Sequence, residues 1–266
     1  MKKISALDYI FAIGKIRTLE VFLLKKEVFE EAIDSSLPEA LKLFAEASLY
    51  SDALLHVRDS QQLEELLSQE LSKLKDLTRS LLLDKALLGF VESDNLIKIQ
   101  KTCQNFSSEF LQDYLAHAID MYNIKTFLRL YILKESEEQL RALLAEGGFV
   151  KKKEFLGLYV QDLSVFLHRI EFVHKRNQVL SYLSFLREPV ARLQKENSFL
   201  WLEKAINDFL IDILKAAKFF TFGPEPVLAY YLAKVNEINL MRLIILAKLN
   251  NLSGDFVKER LNTVYA

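Results

Sequence analysis

The chain has 266 residues, of which 51% are hydrophobic and 27% charged, and its formal net charge is −1. A near-neutral chain with a pI near 6.5 carries no electrostatic footprint for nucleic acid. Seven glycines and four prolines are too few for a sheet protein turning every few residues, and the apolar content is too high for a disordered one. A single cysteine, Cys103, excludes an internal disulfide framework and a cysteine zinc site; it reads as an idle or buried thiol in a reducing compartment.

Taken in chain order, the elements read as helices. In the opening MKKISALDYIFAIGKIR, Asp8, Lys15 and Arg17 interrupt the apolar stretch, which does not suit a secretory signal. Ser36 before Leu37-Pro38-Glu39 marks a helix start, with proline in the first turn where its missing N–H costs nothing. Leu63, Leu67, Leu71, Leu74 and Leu81 lie on one stripe of a helix whose other faces carry Gln62, Glu65, Lys73 and Lys75. The run Lys151-Lys152-Lys153 follows Gly147-Gly148 and reads as a solvated loop or helix start. After Trp201, the residues Ile206, Phe209, Leu210, Ile213, Leu214, Ala217 and Phe220 form a second apolar stripe. Gly223-Pro224-Glu225-Pro226 breaks the chain and lets Pro226 open the next helix. That helix is apolar on all sides at Leu243 to Leu246, as a central, enclosed element must be. It ends at Asn250-Asn251-Leu252-Ser253-Gly254, before a last short helix from Asp255 to Leu261. No alternating β-branched run occurs, so no sheet is expected, and no window reaches the ~20 apolar residues of a membrane span. An all-α, soluble protein is expected.

Self-similar segments suggest an internal repeat. Asn123 and Arg129 recur as Asn236 and Arg242, each arginine followed by an apolar stretch with a lysine, LYILK and LIILAK. A weaker copy, with Phe11 in place of asparagine, ends at Arg17. The three arginines lie 112 and 113 residues apart, which suggests one helical unit used three times about a pseudo-threefold axis; chance similarity of amphipathic helices is the competing explanation. Approximate units are 1–100, 101–200 and 201–266 within one domain covering 1–266. Arg17, Asn123, Arg129, Asn236 and Arg242 are candidate partner contacts. The plainer alternative is structural: the arginines pair with acidic neighbours such as Glu20, Asp120 and Glu237, and the asparagines make helix-start or inter-helix hydrogen bonds.

Catalytic chemistry is hard to find. In His168-Arg-Ile-Glu171-Phe-Val-His174, Glu171 and His174 have the i, i+3 spacing that brings two metal ligands to one helix face. A di-iron bundle needs that motif twice with two further glutamates, and neither His56, His117 nor His168 has a glutamate three residues before it, so a solvated helix face is the better reading. Zincin, P-loop and dinucleotide fingerprints are missing from the sequence. No active site, cofactor or metal is expected.

The segment FGPEPVLAYYLAKVNEINLMRLIILAKLNNLSGDFVKERL, Phe222 to Leu261, resembles the closing segment of the C subunit of the V-type and A-type rotary ATPases, whose eukaryotic counterpart is designated d. Asp120-Met-Tyr-Asn-Ile-Lys-Thr-Phe-Leu-Arg129 is similar to that family's central helix, and Tyr9 to Glu20 to its opening one. The stretch Leu49 to Lys101 departs from the pattern, Phe11 to Lys15 fits it loosely, and the chain is shorter than typical members. The resemblance implies a funnel of three related helical bundles seated on the membrane-embedded proteolipid ring at the cytoplasmic face, with the central D/F shaft docked in its hollow. It implies transmission of torque for proton or sodium transport without an active site. A stand-alone helical adaptor or scaffold is the alternative reading.

Overall fold

The computed structural model describes residues 5–47, 50, 52–93, 95–103, 106–175 and 178–266, with the backbone alone at 174, 175 and 178. The chain divides into two compact units, Met1–Glu92 with Ile211–Ala266, and Ser93–Leu210.

The first unit opens with a 3₁₀ turn and α1 (Ile10–Glu20), followed by α2 (Lys26–Asp34), α3 (Leu37–Ala47), α4 (Ser60–Leu81) and α5 (Gly89–Glu92). Local chemistry sets these boundaries. The Asp59 carboxylate accepts the Gln62 N–H at 2.9 Å and caps α4, while the Ser36 N–H and hydroxyl both donate to Glu39 at the start of α3. On α4 the expected stripe is found: Leu63, Leu67, Leu74 and Leu81 are buried, and Leu71 is partly so.

The second unit holds α6 (Leu96–Thr102), α7 (Glu109–Leu133), α8 (Glu137–Leu143), α9 (Lys152–Leu158), α10 (Leu163–Arg169) and α11 (Leu183–Glu196). Ser108 caps α7, and Ser136 with Gln139 forms a reciprocal capping box on α8. The lysine run is a helix start, with Lys151 at the N-cap of α9. Between α10 and α11 lies a small antiparallel hairpin, β1 (Val173–Lys175) and β2 (Gln178–Leu180), pairing Val173 with Leu180. The regular elements among the described residues are otherwise helical, as the all-α expectation has it; this hairpin is the departure from it, since strands of three residues are too short to show a period-two pattern.

The helix α12 (Leu200–Lys215) runs from the second unit into the first, which is completed by α13 (Glu225–Leu249) and α14 (Gly254–Lys258). Pro224 and Pro226 stand at the start of α13, as the Gly-Pro-Glu-Pro break predicts.

Each unit is built around one helix of 25 residues. In the first unit α13 packs against α1, α2, α3, α4 and α14. Its buried positions run from Glu225 to Ala247. Of the stretch Leu243 to Leu246, expected to be enclosed on all sides, Ile244 and Ile245 are fully buried while Leu243 and Leu246 are only partly so, because the side of the helix that carries Arg242 turns outward. In the second unit α7 supplies Met121, Ile124, Phe127 and Leu128 to a core shared with Phe155, Phe166, Tyr182, Leu186 and Leu202. Phe127 sits at the centre of an aromatic cluster: it stacks on Phe166 with centroids 3.9 Å apart, and Phe155, Tyr131 and Tyr159 surround it. Such rings gain from both area burial and quadrupole alignment.

Truncation of Phe127 to alanine removes the hub of that cluster and is expected to cost about 3–5 kcal/mol. Urea unfolding followed by circular dichroism checks this; a loss below about 1 kcal/mol would show that the cluster is not the organising contact.

Candidate functional site

The five candidate contact residues fall on three helices. Arg17 on α1 and Asn236 and Arg242 on α13 belong to the first unit, and Asn123 and Arg129 on α7 belong to the second. Arg17 donates through Nη1 to Glu20 at 2.6 Å and through Nη2 to the carbonyls of Ala217, Lys218 and Phe220. These carbonyls lie at the end of the 3₁₀ turn Ala216–Phe219; that of Ala217 also accepts the Phe220 N–H, and the guanidinium adds donors where a helix end runs short of them. The Tyr265 hydroxyl donates to the other oxygen of Glu20 at 3.2 Å, extending the network.

Arg129 lies 3.8 Å from Glu203 and over the ring of Phe199, and Arg242 pairs with Glu64 at 2.9 Å and donates to Asn239. Structural pairing with Glu20 is therefore found for Arg17. The other two arginines take acids on neighbouring helices instead of Asp120 and Glu237. At roughly 100° per residue, Asp120 lies about 180° around the helix from Arg129, and Glu237 about 140° from Arg242. Each acid faces the core while its arginine faces outward. The side chains of Arg17, Arg129 and Arg242 keep 31%, 52% and 30% of their surface exposed.

The two repeat asparagines do equivalent work. Asn123 is fully buried and clamps the backbone of Ala145 from both sides, its amide donating to the carbonyl and its oxygen accepting the N–H, each at 2.9 Å. Asn236 donates to the Thr263 carbonyl at 3.1 Å. In both units the long helix thus holds a later, non-helical stretch of chain through an asparagine six residues before its arginine.

A buried carboxylate accompanies each clamp. On α7 the fully buried Asp120 accepts the N–H groups of Phe149 and Val150, both at 3.1 Å, and the Tyr182 hydroxyl at 2.8 Å. Nδ1 of His117, one turn earlier, lies 2.8 Å from the same hydroxyl, enclosed by the rings of Phe149 and Phe209. The loop can approach so closely because of its glycines. Gly147 has φ +97°, and a Cβ on Gly148 would collide with Oδ1 of Asp120. On α13 the buried Glu237 accepts the Leu24 N–H at 2.7 Å and the Tyr50 hydroxyl at 2.8 Å, and pairs with Lys234. Burial raises both tyrosines well above the ordinary phenol range. For Asp120 burial dominates and lifts the carboxyl to about 7, although the hydroxyl and two amides pull it down.

These carboxylates are the residues that reading by element type passes over. Their signal is an acid on the apolar register of a long helix: Asp120 and Asn123 are three residues apart, on one face with Ile124 and Phe127.

The Glu171–His174 pair does not share a helix face. Helix α10 ends at Arg169, Glu171 follows it and His174 enters β1, its side chain lying outside the described residues. Glu171 instead lies 3.2 Å from Nδ1 of His168. Among the described residues no group of three or more His, Cys, Asp or Glu side chains is arranged to hold a metal ion. Cys103 is buried.

The Asp120 site has a definite pH signature. A folded-state pKa raised above the ordinary 3.8 means the folded protein holds the proton that the unfolded chain releases first. This group's contribution to stability is greatest below pH 4 and falls as pH rises from about 4 through 7. Urea unfolding at pH 5, 6, 7 and 8 is therefore expected to show Asp120→Asn closing on, or overtaking, the parent protein as pH rises; a gap independent of pH would contradict it. Gly148→Ala, which drives a methyl into the carboxylate, is expected to lose at least about 2 kcal/mol in the same assay.

Residues 82–260, well over half of the chain, match the family model described as ATP synthase (C/AC39) subunit. The C subunit of the V-type sodium ATPase of Enterococcus hirae is 26% identical over 157 residues, covering 59% of this chain and 45% of that protein. The C subunit of the A-type ATP synthase of Methanocaldococcus jannaschii is 24% identical over 228 residues, or 84% of this chain and 54% of its own. That of a Desulfurococcus species is 27% identical over 150 residues, 56% and 38% of the two chains. The chain spans about half the length or less of these relatives. The matched span contains both long helices with their asparagines, arginines and buried carboxylates. This chain belongs to the ATP synthase (C/AC39) subunit family.

Proposed function

We propose that the protein is a non-catalytic central-stalk component of a V-type or A-type rotary ATPase, coupling a rotating D/F shaft to the membrane proteolipid ring during proton or sodium transport. The family match over 82–260 carries this reading. The names of the relatives in Enterococcus hirae, Methanocaldococcus jannaschii and Desulfurococcus place them in sodium ATPase and ATP synthase complexes. Among the described residues no helix is long and apolar enough to cross a membrane, in keeping with a component peripheral to the ring on the cytoplasmic face.

In this reading the chain is a single domain, 1–266, whose three repeat units surround an axis like a funnel and leave a socket for the shaft. The match in length and function of α7 and α13 supports a repeat of at least that unit: both are 25 residues long, and both use Asn, Arg and an inward acid in similar ways. Arg17, Asn123, Arg129, Asn236 and Arg242 are the proposed contacts of the socket. The half-exposed guanidinium of Arg129 is the most available of the arginines for a partner carboxylate. Coupling of this kind needs stiffness, and close-packed helical cores transmit strain with little give.

An affinity-tagged chain, expressed in its own host and extracted from membranes in mild detergent, is expected to bring down the shaft proteins, the catalytic head and the proteolipid ring. Recovery as a lone protein would overturn the proposal in favour of a free-standing adaptor. Because exposed ion pairs contribute only about 0–1 kcal/mol, Arg129→Gln with Arg242→Gln should leave the unfolding midpoint nearly unchanged. Recovery of the shaft proteins should nonetheless fall about tenfold, roughly 1.4 kcal/mol for the two lost contacts together; undiminished recovery would remove these residues from the interface.

A further inference from the structure

We propose that Asp120, Tyr182 and His117 act as one protonation-coupled unit, in which proton uptake at Asp120 reverses the Tyr182 hydroxyl and turns Nδ1 of His117 from a donor into an acceptor. The coupling is independent of the rotary-ATPase reading.

Tyr182 has one hydroxyl hydrogen and stands 2.8 Å from Oδ2 of Asp120 and 2.8 Å from Nδ1 of His117. With Asp120 ionised, the hydroxyl donates to the carboxylate, so the hydrogen of the second bond must come from Nδ1. When Asp120 takes a proton on Oδ2, the acid becomes the donor, the hydroxyl swings round, and Nδ1 must accept. On a neutral ring the Nδ1 hydrogen then leaves and one is taken up at Nε2, so the ring keeps its charge and the unit gains the single proton on Asp120. Oδ2 also accepts the Phe149 N–H, whereas Oδ1 accepts that of Val150. A protonated oxygen is a poorer acceptor, so the hold on Phe149 weakens while that on Val150 persists. The Phe149 hydrogen bond therefore strengthens as pH rises, while the cost of keeping the ionised carboxylate out of water lowers the stability of the site as a whole.

The unit is sealed: His117 is 2% exposed, and Asp120 and Tyr182 are not exposed at all. From α9, Glu154 opposes ionisation of Asp120, although Arg169 is paired with it. Asp113 precedes His117 by one turn on α7. Aromatic neighbours of the imidazole come from the loop at Phe149 and from α12 at Phe209. An Asp120 carboxyl lifted to about 7 sets the transition within the physiological range.

The test is nitrogen NMR of the full chain labelled in histidine and backbone amides, from pH 5 to 9. Nδ1 of His117 is expected to move from the bare-nitrogen shift at low pH to the N–H shift at high pH. The Phe149 amide proton should move with the same midpoint, and by more than that of Val150. In Tyr182→Phe the two amides should still titrate while His117 no longer follows them. Asp120→Asn, whose amide imitates the protonated acid, should hold Nδ1 as an acceptor at every pH; this arm decides the matter if the phenylalanine variant does not fold. A flat His117 signal across the range in which Phe149 titrates, or no titration of Phe149 at all, would overturn the proposal.

Discussion

A carboxylate buried on a long helix, accepting backbone N–H groups from a distant loop, is the interaction on which each unit of this protein depends. Asp120 gathers Phe149 and Val150 and Glu237 gathers Leu24, and each also takes a tyrosine hydroxyl. Burying an ion without such partners would be prohibitive. Once several donors converge on it, the cost of leaving any of them unpaired makes the arrangement specific. Helical packing alone could slide or rotate by a register. The convergent donors allow one position of the loop against the helix.

The asparagines reinforce this constraint, Asn123 one turn after Asp120 and Asn236 directly before Glu237. Asn123 makes two bonds to one residue, Ala145, and Asn236 holds Thr263, so both long helices fasten chain that has no regular structure of its own. Arg17 plays a comparable part for the 3₁₀ turn at Ala216–Phe219. Polar side chains inside these units are thus spent on loops and helix ends, while apolar side chains, with Phe127 as the example, join helix to helix. For a protein proposed to carry torque, the division is apt: aromatic and aliphatic packing resists compression, and the buried hydrogen bonds keep connecting segments from yielding first.

The outward arginines have a different character. Their partners Glu203 and Glu64 are exposed acids on neighbouring helices, in pairs that water screens. Exchange of such a partner for a carboxylate on another protein costs little, whereas exchange at Asp120 or Glu237 would strand buried donors. The polar residues of the two long helices therefore divide into an inner set committed to the fold and an outer set whose pairs are exposed.

The amino-acid sequence by itself determined the helical class, because period-3.6 stripes such as Leu63 to Leu81 and caps such as Ser36 with Glu39 act within a few residues of chain. It also determined the likeness of α7 to α13, since the shared Asn and Arg positions follow from needs that each helix meets alike, and the enclosure of Ile244 and Ile245, which lie in the unbroken apolar run Leu243 to Ala247. Tertiary structure alone decided which acid each arginine meets, because Glu203 and Glu64 are 74 and 178 residues distant and only folding brings them near. It decided the roles of Asp120 and Glu237 for the same reason: a carboxylate on a helix is an ordinary surface group until Gly147-Gly148 or Leu24 is laid across it. The hairpin at Val173 to Leu180 and the separation of Glu171 from His174 were likewise settled by chain direction after α10, where helical spacing no longer applies. Local hydrogen bonding and periodicity are written in neighbouring residues; the partners of a buried charge are written only in the packing of remote ones.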